Sequence, residues 1–351
     1  MYFNTIDDLK NSFPSAYVPS NTEFIVAGYF SSGDGGGGTF TWVPITFPQL
    51  PLNDDGGIII RPHSTSKDYN NGYFKRQYSG PINVRWFGAI MGAVIYPTLT
   101  AITDVTQYVH SARDSNFARN GSLYFPADWK MDTNGNPVIQ PYVGAFEFYV
   151  THGEINLIGD GLGSVLQSDG TGTAVLRLGW RFMIQRTARV YNLVVNGSSD
   201  GTAVANGVEF SDPYIPEASG KWVFENVLFT QCLKGVYKPT GNIDNYFLNC
   251  MFYQCEFGYY AQSVPEMHCG CDKFIGGFIG ETTSVGIYVE SDGLYGQLIL
   301  DGLIMEANYG FAIFMKMKNE ARMTFNGVEI RNVWMEGNSN NPNFPTVTLD
   351  G

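Results

Sequence analysis

The second half of the chain contains a repeated pattern, and this repeat limits the possible folds more than any other feature of the sequence. Each copy starts with a large apolar residue, turns at an Asn, Gly or Asp, resumes with alternating residues, and closes at a glycine. The copies are VYNLVVNGSSDG from residue 190, FENVLFTQCLKG from 224, FLNCMFYQCEFG from 247, FIGGFIGETTSVG from 274, ILDGLIMEANYG from 299 and IRNVWMEGN from 330. Most copies start about 23 to 31 residues apart, which is a period typical of solenoid proteins.

The pattern within each copy predicts strands rather than helices. Apolar residues alternate with a period of two, whereas an amphipathic helix needs them three and four positions apart. Glycine, asparagine and aromatic residues also dominate the copies, and these residues do not favour helical repeats. Short parallel strands stacked about 4.8 Å apart, one coil per copy, account for the pattern. The sequence therefore predicts an all-β fold, a right-handed parallel β-helix.

One position in each copy lies at the turn between two strands. Asparagine tolerates the left-handed conformation that a sharp corner requires, and stacked carboxamides can hydrogen-bond from coil to coil. The column that the alignment predicts is Asn192, Asn226, Asn249, Gly276, Asp301 and Asn332. We interpret this column as structural, so Asp301 is a poor catalytic candidate.

Alternation assigns the side chains around this corner to two faces. The predicted inward residues are Phe224, Phe247, Phe274 and Ile299 before the corner, and Val227, Phe229, Cys250, Phe252, Ile279, Ile304 and Met335 after it. The predicted outward residues are Leu228, Met251, Phe278, Leu303 and Trp334. Five large apolar side chains in an outward file predict a contact with another subunit, as in a three-fold bundle of β-helices.

A further strand follows the closing glycine of each copy. The predicted inward residues of this strand are Val208, Val236, Tyr259, Ile287 and Phe311, and the predicted outward residues are Glu209, Tyr237, Tyr260, Tyr288 and Ala312. A file of exposed tyrosines is a flat apolar surface with hydroxyls at its edge, which suits stacking on sugar rings. The alternatives are a ladder that stabilises the sheet, or more subunit contact.

Glycoside hydrolysis needs two carboxyl groups, and the predicted coils offer two arrangements. Glu281 and Glu306 fall in one column after Gln231 and Gln254, and two close carboxylates raise at least one pKa. Glu290 and Asp292 follow Tyr288, so an acid would lie against the tyrosine file. If the site lies between subunits, Glu336 beside Trp334 is a further candidate. Both arrangements could also be ordinary polar turns.

Composition excludes some classes of ligand. A net charge of −12 argues against nucleic-acid binding, which depends on lysine and arginine contacts to the phosphates. We expect no metal, because HCGC at 268–271 has no partner motif to complete a closed site, and no cofactor. The five cysteines are expected to be free buried thiols.

The chain has no long apolar stretch and no secretory signal, so membrane insertion is not expected. The glycines of SSGDGGGGTFTW at 31–42 are expected to form a hairpin loop rather than a phosphate site.

The first half of the chain carries motifs that resemble a known family. GYFSSGDGGGGTFTWVP, DDGGIIIRP and YFKRQYSGPINVRWFGA resemble the small region that precedes the β-helix in phage tailspikes and related polysaccharide depolymerases. AITDVTQYVHSAR from 101, GSLYFPADWKM from 121 and INLIGDGLGSVLQSDG from 155 resemble the entry to the pectate-lyase-like β-helix superfamily. One departure is Asp128, where the family pattern has glycine. The resemblance is specific for fold and gives no catalytic motif.

The resemblance implies a homotrimeric, carbohydrate-active fibre of a virion tail, assembled in the host cytoplasm and acting outside the cell. Residues 1–85 would be a small cap or attachment region that contacts other tail proteins. Residues 86–351 would be the β-helix, with an entry helix at about 100–114 and coils from about 121. The chain stops after PTVTLDG, so either further coils or a trimerising domain follow in a longer protein, or the last coil is capped there.

The expected activity is hydrolysis of a bacterial surface polysaccharide, a capsule or an O-antigen, by a carboxylate pair. Two rivals stay open. The first is a spike that binds its receptor through the tyrosine file without cleaving it. The second is a polysaccharide lyase, which needs a uronic acid in the substrate and a basic residue near the cleft, for example Lys273, Arg322 or Arg331.

Overall fold

The structure, a computed structural model, describes most of the chain in two compact units, Met1–Phe125 and Pro126–Gly351. The described residues are 1–11, 19, 22–45, 52–63, 71–95, 100–115, 121–149, 155–179, 187–198, 201–211, 220–239, 243–263, 268–291, 294–317, 328–337 and 347–350. Arg322 and Asp292 lie outside these ranges. No helix in these ranges is long and apolar enough to cross a membrane.

The first unit is built around a small mixed sheet with two α-helices and one 3₁₀-helix. Its strands are β1 (Tyr2–Phe3), β2 (Glu23–Val26), β3 (Gly38–Pro44), β4 (Ile59–Ile60), β5 (Gly72–Arg76), β6 (Ile82–Asn83), β7 (Val94–Ile95), β8 (Thr100–Ala101) and β9 (Ser122–Phe125). Its helices are α1 (Ile6–Asn11), α2 (Thr106–Asp114) and the 3₁₀-helix Val84–Phe87. The main sheet has the order β1-β2-β3-β5-β4, and β6 pairs with β9 in parallel. Phe24, Phe40, Trp42 and Phe74 form its buried core.

The glycine-rich segment is a turn between two strands, as predicted. Strand β2 pairs with β3 in antiparallel fashion, with Val26 opposite Gly38. The carboxylate of Asp34 accepts hydrogen bonds from the backbone amides of Tyr29, Phe30, Ser31 and Gly36 at 2.8–2.9 Å. Because these bonds hold the loop closed, the loop amides that a phosphate would need are already used.

The predicted entry helix is present as α2 and belongs to the first unit. The ring of Tyr108 packs against Phe30 at 5.9 Å between centroids, and the hydroxyl of Ser115 donates to Asp55 at 2.9 Å. These contacts tie the helix to the N-terminal sheet. The compact unit that contains this helix runs to residue 125, and the predicted domain boundary near residue 85 stays a prediction.

The second unit consists of three sheets that run along its length, after a short hairpin of β10 (Trp129–Met131) and β11 (Pro137–Ile139). Sheet I contains β12 (Tyr142–Val143), β15 (Val165–Gln167), β18 (Val194–Asn196), β21 (Leu228–Thr230), β24 (Met251–Tyr253), β27 (Phe278–Gly280), β30 (Ile304–Glu306) and β33 (Trp334–Glu336). Sheet II contains β13 (Phe146–Phe148), β16 (Ala174–Leu178), β19 (Asn206–Phe210), β22 (Lys234–Lys238), β25 (Phe257–Ser263), β28 (Val285–Ser291), β31 (Phe311–Met317) and β34 (Val347–Asp350). Sheet III contains β14 (Asn156–Gly159), β17 (Thr187–Tyr191), β20 (Gly220–Glu225), β23 (Ile243–Leu248), β26 (His268–Ile275), β29 (Leu294–Asp301) and β32 (Val328–Arg331).

The chain visits sheets I, II and III in turn, so three strands make one coil and each strand pairs in parallel with its counterpart one coil later. This is the predicted parallel β-helix. The interior contains stacks of aromatic rings, for example Phe224, Phe247 and Phe274, with centroids 5.2 and 4.5 Å apart and nearly parallel planes. Burial of these rings supplies the main driving force for stacking the coils.

The corner between sheets III and I follows the prediction except in one coil. The corner residues have left-handed backbones with φ between 50° and 68°; they are Asn192, Asn226, Asn249, Gly276, Gly302 and Asn332. The Asn226 side chain donates to that of Asn192 at 3.2 Å, as expected for stacked carboxamides. The predicted corner residue Asp301 is wrong, because Asp301 pairs with Ile275 and precedes the corner glycine.

This one-residue shift reverses the faces that were predicted in that coil, because side chains alternate along a strand. Leu300 lies opposite Phe274 and is fully buried, whereas Ile299, predicted inward, is half-buried on the outer side. Leu303, predicted outward, is only 1% exposed, and Ile304, predicted inward, is 43% exposed. The outward file of sheet I therefore consists of Leu228, Met251, Phe278, Ile304 and Trp334.

Strand β31 of sheet II needs a similar correction. Phe314, not Ala312, stands opposite Tyr288, and Ala312 is fully buried. The prediction aligned Gly310 with Gly286, but the backbone of Gly310 lies against Ser284. The earlier strands of sheet II have glycine at this position. An added Cβ would lie about 2.5 Å from a backbone oxygen of the next coil, as at Gly258 and Gly235. Glycines outside this column misled the alignment.

A charged group lies inside the helix as well. The ammonium of Lys238 donates to both oxygens of Asp272 at 3.1 and 3.2 Å, and both side chains are fully buried. Asp272 also accepts from Asn245 at 2.8 Å and from the hydroxyl of Tyr259 at 2.6 Å. We call these four residues the interior ionic cluster. Its members come from two successive coils, so the cluster ties these two coils together.

The cysteines that the structure describes are free thiols. Cys232, Cys250 and Cys255 are buried and lie close to backbone carbonyls, and Cys271 is half-buried. Burial raises the pKa of the Cys250 thiol to about 12. These thiols pack as small apolar groups, as predicted, and Cys269 lies outside the described side chains.

Candidate functional site

A continuous row of aromatic rings runs along the outer side of sheet II. It consists of Tyr237, Tyr260, Tyr288 and Phe314, one from each of four successive coils, and we call it the aromatic strip. Tyr260 stacks on Tyr288 at 4.5 Å, and Tyr288 stacks on Phe314 at 5.3 Å, with interplanar angles of 18° and 12°. All four side chains are half-buried. Tyr237 meets Tyr260 edge-to-face at 5.6 Å. The tyrosines face outward as predicted, and because the stacked rings cover one another's faces, the strip presents ring edges and hydroxyls to solvent.

The hydroxyl edge of the strip is ordered by one glutamine. Gln262 lies two residues after Tyr260 on the same face of β25. Its carbonyl oxygen accepts from the Tyr237 hydroxyl at 3.0 Å, and its amide nitrogen donates to the Tyr260 hydroxyl at 3.0 Å. The same amide nitrogen lies 3.3 Å from a carboxylate oxygen of Glu290, which is opposite Gln262 in the next coil. Lys316 follows Glu290 one coil later.

One end of the strip carries a lysine between two carboxylates. The ammonium of Lys234 lies 3.8 Å from the ring centroid of Tyr237 and 4.8 Å from that of Tyr260. Burial lowers the pKa of Lys234, and the charges of Glu209 and Glu256 act in the opposite direction. Glu209 stands one coil before Tyr237 in the same row. This end of the strip therefore combines one ammonium with two carboxylates.

The phenols of the strip keep their protons at neutral pH. Burial raises the pKa of Tyr260, and the neighbouring Tyr288, Glu290 and Tyr237 raise it further. Burial also raises the pKa of Tyr237, with a smaller contribution from Glu209. A protonated phenol acts as a hydrogen-bond donor or acceptor and not as a base. The strip can therefore contact a sugar chain through its ring edges and hydrogen-bond the hydroxyls of the sugars.

The predicted acids near the strip do not all come together. Glu290 lies at the strip edge, but Glu209 is three coils away in the register, or about 14 Å at about 4.8 Å per coil. This separation exceeds the 5–9.5 Å, approximately, that glycoside hydrolysis requires. Asp292, the predicted partner of Glu290, lies outside the described residues.

The structure places Glu281 one residue out of register with Glu306 on the adjacent coil, where the Glu281 backbone amide donates to the Glu306 carbonyl at 3.3 Å. Glu281 occupies a left-handed corner between sheets I and II, in a column whose described members are Gln231, Gln254, Glu281, Ala307 and Gly337. Its carboxylate accepts from the Gln254 side chain at 3.0 Å, and its hydrogen bond raises the pKa of Tyr253. The prediction that Glu281 and Glu306 share a column is therefore wrong, because Ala307 takes the corner position after Glu281.

Glu306 has a different carboxylate neighbour. It stands opposite Glu336 at the end of adjacent strands of sheet I, and both side chains are exposed. The indole nitrogen of Trp334 donates to Glu336 at 3.1 Å. Adjacent coils bring two carboxylates and an exposed indole together, on the face that also carries Met251 and Ile304. The sequence named each of these glutamates but paired Glu306 with the wrong one.

Other clusters of polar side chains among the described residues form hydrogen bonds and ion pairs within their own loops. A concavity of about 410 Å³ in the first unit is lined by Asp54, Asp55 and Asp114. Asp55 accepts from three successive backbone amides of residues 57–59, and Asp54 pairs with Lys10 at 2.8 Å. Within the ranges that the structure describes, no group of three His, Cys, Asp or Glu side chains is placed to hold a metal.

Sequence reasoning missed three members of the sheet II site, namely Lys234, Gln262 and Phe314. The signal for Gln262 was its position two residues after Tyr260, which places both side chains on one face. Phe314 was missed through the wrong glycine alignment. Nothing in the local sequence indicates that Lys234 lies over two tyrosine rings, because that contact spans two coils.

Comparisons with known proteins agree with this architecture. Residues 2–79 match the family model of a phage tail protein small four-stranded β-sheet domain. The chain is similar in structure to the enzymatically active domain of tailspike protein 2 of bacteriophage CBA120, with 14% identity and a TM-score of 0.51 over 95% of this chain and 51% of that one. It is also similar to tailspike protein gp49 of Acinetobacter baumannii bacteriophage Fri1, a capsular polysaccharide depolymerase, with 12% identity and a TM-score of 0.49 over 100% of this chain and 76% of that one.

The similarity to the CBA120 tailspike 2 domain shows a shared fold. The tailspike-like parallel β-helix that the motifs predicted is confirmed, together with a phage tail domain at residues 2–79. The chain spans about half the length of the CBA120 tailspike 2 structures. A comparison with curated protein sequences gives no match.

Proposed function

We propose that this chain is part of a phage tailspike that binds a bacterial surface polysaccharide along the aromatic strip and cleaves it. The observation that carries the proposal is the continuous stack of Tyr260, Tyr288 and Phe314 with an ordered hydroxyl and amide edge. Rings repeated at the coil spacing suit an extended polymer of sugar rings better than a single small molecule. The phage tail domain at residues 2–79 supports a location in the virion tail, where the N-terminal region would contact other tail proteins.

The proposed reaction is hydrolysis of a glycosidic bond, in which one carboxylic acid protonates the leaving oxygen and a carboxylate activates water or attacks the sugar. Two placements of the acids are supported by different observations. Glu290 touches the edge of the strip through Gln262. Glu306 and Glu336 are neighbours on adjacent coils of sheet I, beside Trp334. The second placement puts the reaction at the face that we propose for subunit contact.

A homotrimer is proposed to form through sheet I. Its outward file is apolar over several coils, and Met251, Ile304 and Trp334 are 43%, 43% and 62% exposed. An apolar face of this extent favours burial against another subunit. A substrate cleft at Glu306 and Glu336 would then lie next to or between subunits.

The proposal is tested by incubating the protein with a panel of purified bacterial capsular polysaccharides and O-antigens. New reducing ends without a gain in absorbance near 235 nm would support hydrolysis. Retention of one polysaccharide without any cleavage would support the rival interpretation, a spike that only binds. If no polysaccharide of the panel is bound or cleaved, including that of the strain the phage infects, the proposed function is wrong.

Four substitutions then locate the acids. Glu290→Gln should abolish cleavage if the strip edge is catalytic, and Glu306→Gln or Glu336→Gln should abolish it if the sheet I pair is. Glu281→Gln serves as the comparison, because its carboxylate is held by Gln254 at a corner. Full turnover in all four variants would exclude each of these acids as a catalyst.

A lyase is the second candidate, and one observation favours it. Lys273, which the sequence suggested as a base, lies 5.1 Å from the ring centroid of Tyr246, and Lys221 lies 4.1 Å from the same centroid. Lys221 would hold the carboxylate of a uronic acid while the amine of Lys273 takes the α-proton. The glycosidic C–O bond at the β-carbon then breaks, which leaves a double bond in one product and a protonated hydroxyl on the other. Reducing ends that appear together with ultraviolet absorbance, and that disappear in Lys273→Gln, would support this reaction over hydrolysis.

A further inference from the structure

The outer side of sheet III carries a second cluster that combines an aromatic ring with charge. Lys221 comes from the coil before Tyr246 and Lys273 from the coil after it, and both ammonium groups converge on the Tyr246 ring. We call these three residues the basic cluster. Arg189, whose side chain is exposed, stands one coil before Val223 in the same row as Tyr246.

The cations of the basic cluster have no carboxylate partner among the described residues. Asp244 stands directly opposite Lys221 in the register, yet the Lys221 ammonium lies over the tyrosine ring. The Asp244 carboxylate instead accepts from the backbone amide of Cys271 at 2.6 Å. Some other cations of the second unit are paired, for example Lys238 with Asp272 and Arg177 with Glu147, whereas Lys234 also lies over tyrosine rings.

The arrangement is unexpected for a chain with 33 acidic and 21 basic side chains. Two ammonium groups at one ring repel each other, and an anion that contacts both at the exposed edge of the ring would turn this repulsion into attraction. The half-buried ring between them offers apolar surface for the body of the ligand. A sugar that carries a carboxylate or a phosphate combines both properties.

We propose that the basic cluster binds an acidic sugar unit of a glycan, with the anionic group held by Lys221 and Lys273 and the sugar ring against Tyr246. The cluster lies on a different sheet from the aromatic strip, so it would be a second and separate contact. This inference rests on the proposed function only in taking the ligand to be a glycan. The net charge of −12 makes retention of an anionic polymer depend on such a local site.

The test is affinity electrophoresis of the full chain in native gels that contain one of three polysaccharides at low salt. Polygalacturonate supplies carboxylates, yeast phosphomannan supplies phosphate esters, and dextran is uncharged. We expect retardation by at least one of the two anionic polymers and a larger effect than in dextran. The anionic polymer that retards the protein more identifies the source of the negative charge.

The decisive variant is Lys221→Gln/Lys273→Gln. It should weaken retention by the anionic polymer about tenfold or more, because it removes two charge-assisted contacts. The matched control is Lys75→Gln/Lys130→Gln, which removes the same charge from sites outside the cluster. Its retardation, measured against its own mobility in a gel without polysaccharide, should equal that of the wild type. Circular dichroism of each variant verifies that the fold is intact.

Three results would overturn the inference. They are equal retention of the decisive variant and the control, equal retardation of the wild type by dextran and by the anionic polymers, and no retardation in any gel. Tyr260→Ala separates this inference from the proposed function. If the aromatic-strip variant loses binding of the panel polysaccharide while the lysine variant changes nothing, the inference is wrong and the proposed function stands. If the lysine variant loses binding while the aromatic-strip variant does not, the proposed function is wrong and the inference stands.

Discussion

Chemically similar side chains have different surroundings on the inner and outer sides of the β-helix wall, as the sequence neighbours Tyr259 and Tyr260 show. Tyr259 points inward, is fully buried, and donates its hydroxyl to Asp272 at 2.6 Å. Tyr260 points outward into the aromatic strip, where Gln262 donates to its hydroxyl. The first hydroxyl satisfies a buried charge, and the second lies at a surface that a ligand can reach.

The comparison extends to the lysines. Lys238 is fully buried and is bonded to both oxygens of Asp272, whereas Lys221 and Lys273 lie over a ring on the outer side. A buried charge must be paired because its removal from water costs free energy. A charge on the outer side stays hydrated until a ligand binds. Inside the wall we therefore expect substitutions to affect stability, and outside it to affect binding.

The largest effect is expected from Asp272→Ala. This change leaves the Lys238 ammonium buried without its carboxylate, so the free energy of unfolding should fall by about 3–5 kcal/mol. Urea unfolding followed by circular dichroism measures this. The double variant Lys238→Met/Asp272→Leu should lose less than the single one, because it removes both charges. A single variant as stable as the wild type would show that the cluster does not hold the coils together.

The next effect distinguishes two adjacent residues of sheet I. Leu303→Ala should lower the free energy of unfolding by about 2–5 kcal/mol, because Leu303 is buried in the core. Ile304→Ala should change it by less than about 1 kcal/mol in the isolated subunit. The same urea titration measures both, and sedimentation shows whether Ile304→Ala reduces association. Equal losses at the two positions would contradict the register of this coil.

A smaller effect is expected for Tyr260→Ala, and it should appear in binding rather than stability. Loss of one stacked ring should weaken binding of the recognised polysaccharide by about tenfold, which corresponds to about 1.4 kcal/mol. Binding is measured by biolayer interferometry on immobilised polysaccharide. Tyr309→Ala, which removes an exposed tyrosine outside the strip, is the matched control. If both variants bind equally well, the strip is a structural ladder.

The smallest effect concerns alkaline pH. The folded protein raises the pKa of Tyr260, chiefly through burial, so the unfolded chain loses this proton first as pH rises. The contribution of Tyr260 to stability is then constant below about pH 10 and declines above it. Tyr260→Phe should therefore lose stability less steeply between pH 10 and 11, by less than about 1 kcal/mol because the ring is partly exposed. Identical slopes in urea titrations would contradict the assigned environment.

Several features of the fold were predictable because they follow from periodicity. The inward stack of Phe224, Phe247 and Phe274 and the corner at Asn226 and Asn249 were predicted residue by residue. The errors lie where one coil departs from the pattern. At Asp301 and Gly302 either residue could take a left-handed corner, and the choice of the wrong one exchanged Leu303 with Ile304.

The candidate site was less predictable than the fold. Tyr237, Tyr260 and Tyr288 were placed on one outer face from their spacing alone. Pairing of acids requires the register between distant coils, and that register joins Glu306 to Glu336 rather than to Glu281. A single-residue choice at a corner decides such a pairing, and alternation within one strand cannot reveal it.

The sequence by itself determined that the chain forms stacked coils of short parallel strands, because a period of two within a longer repeat leaves few other ways to bury so many aromatic residues. It also determined that tyrosines would line one outer face. Only the tertiary structure decided which side chains of different coils touch: Lys238 with Asp272 inside, Lys221 and Lys273 with Tyr246 outside, and Gln262 between Tyr237 and Glu290. The physical reason is that contacts between coils depend on the exact register at each corner, which is set by the packing of the whole coil.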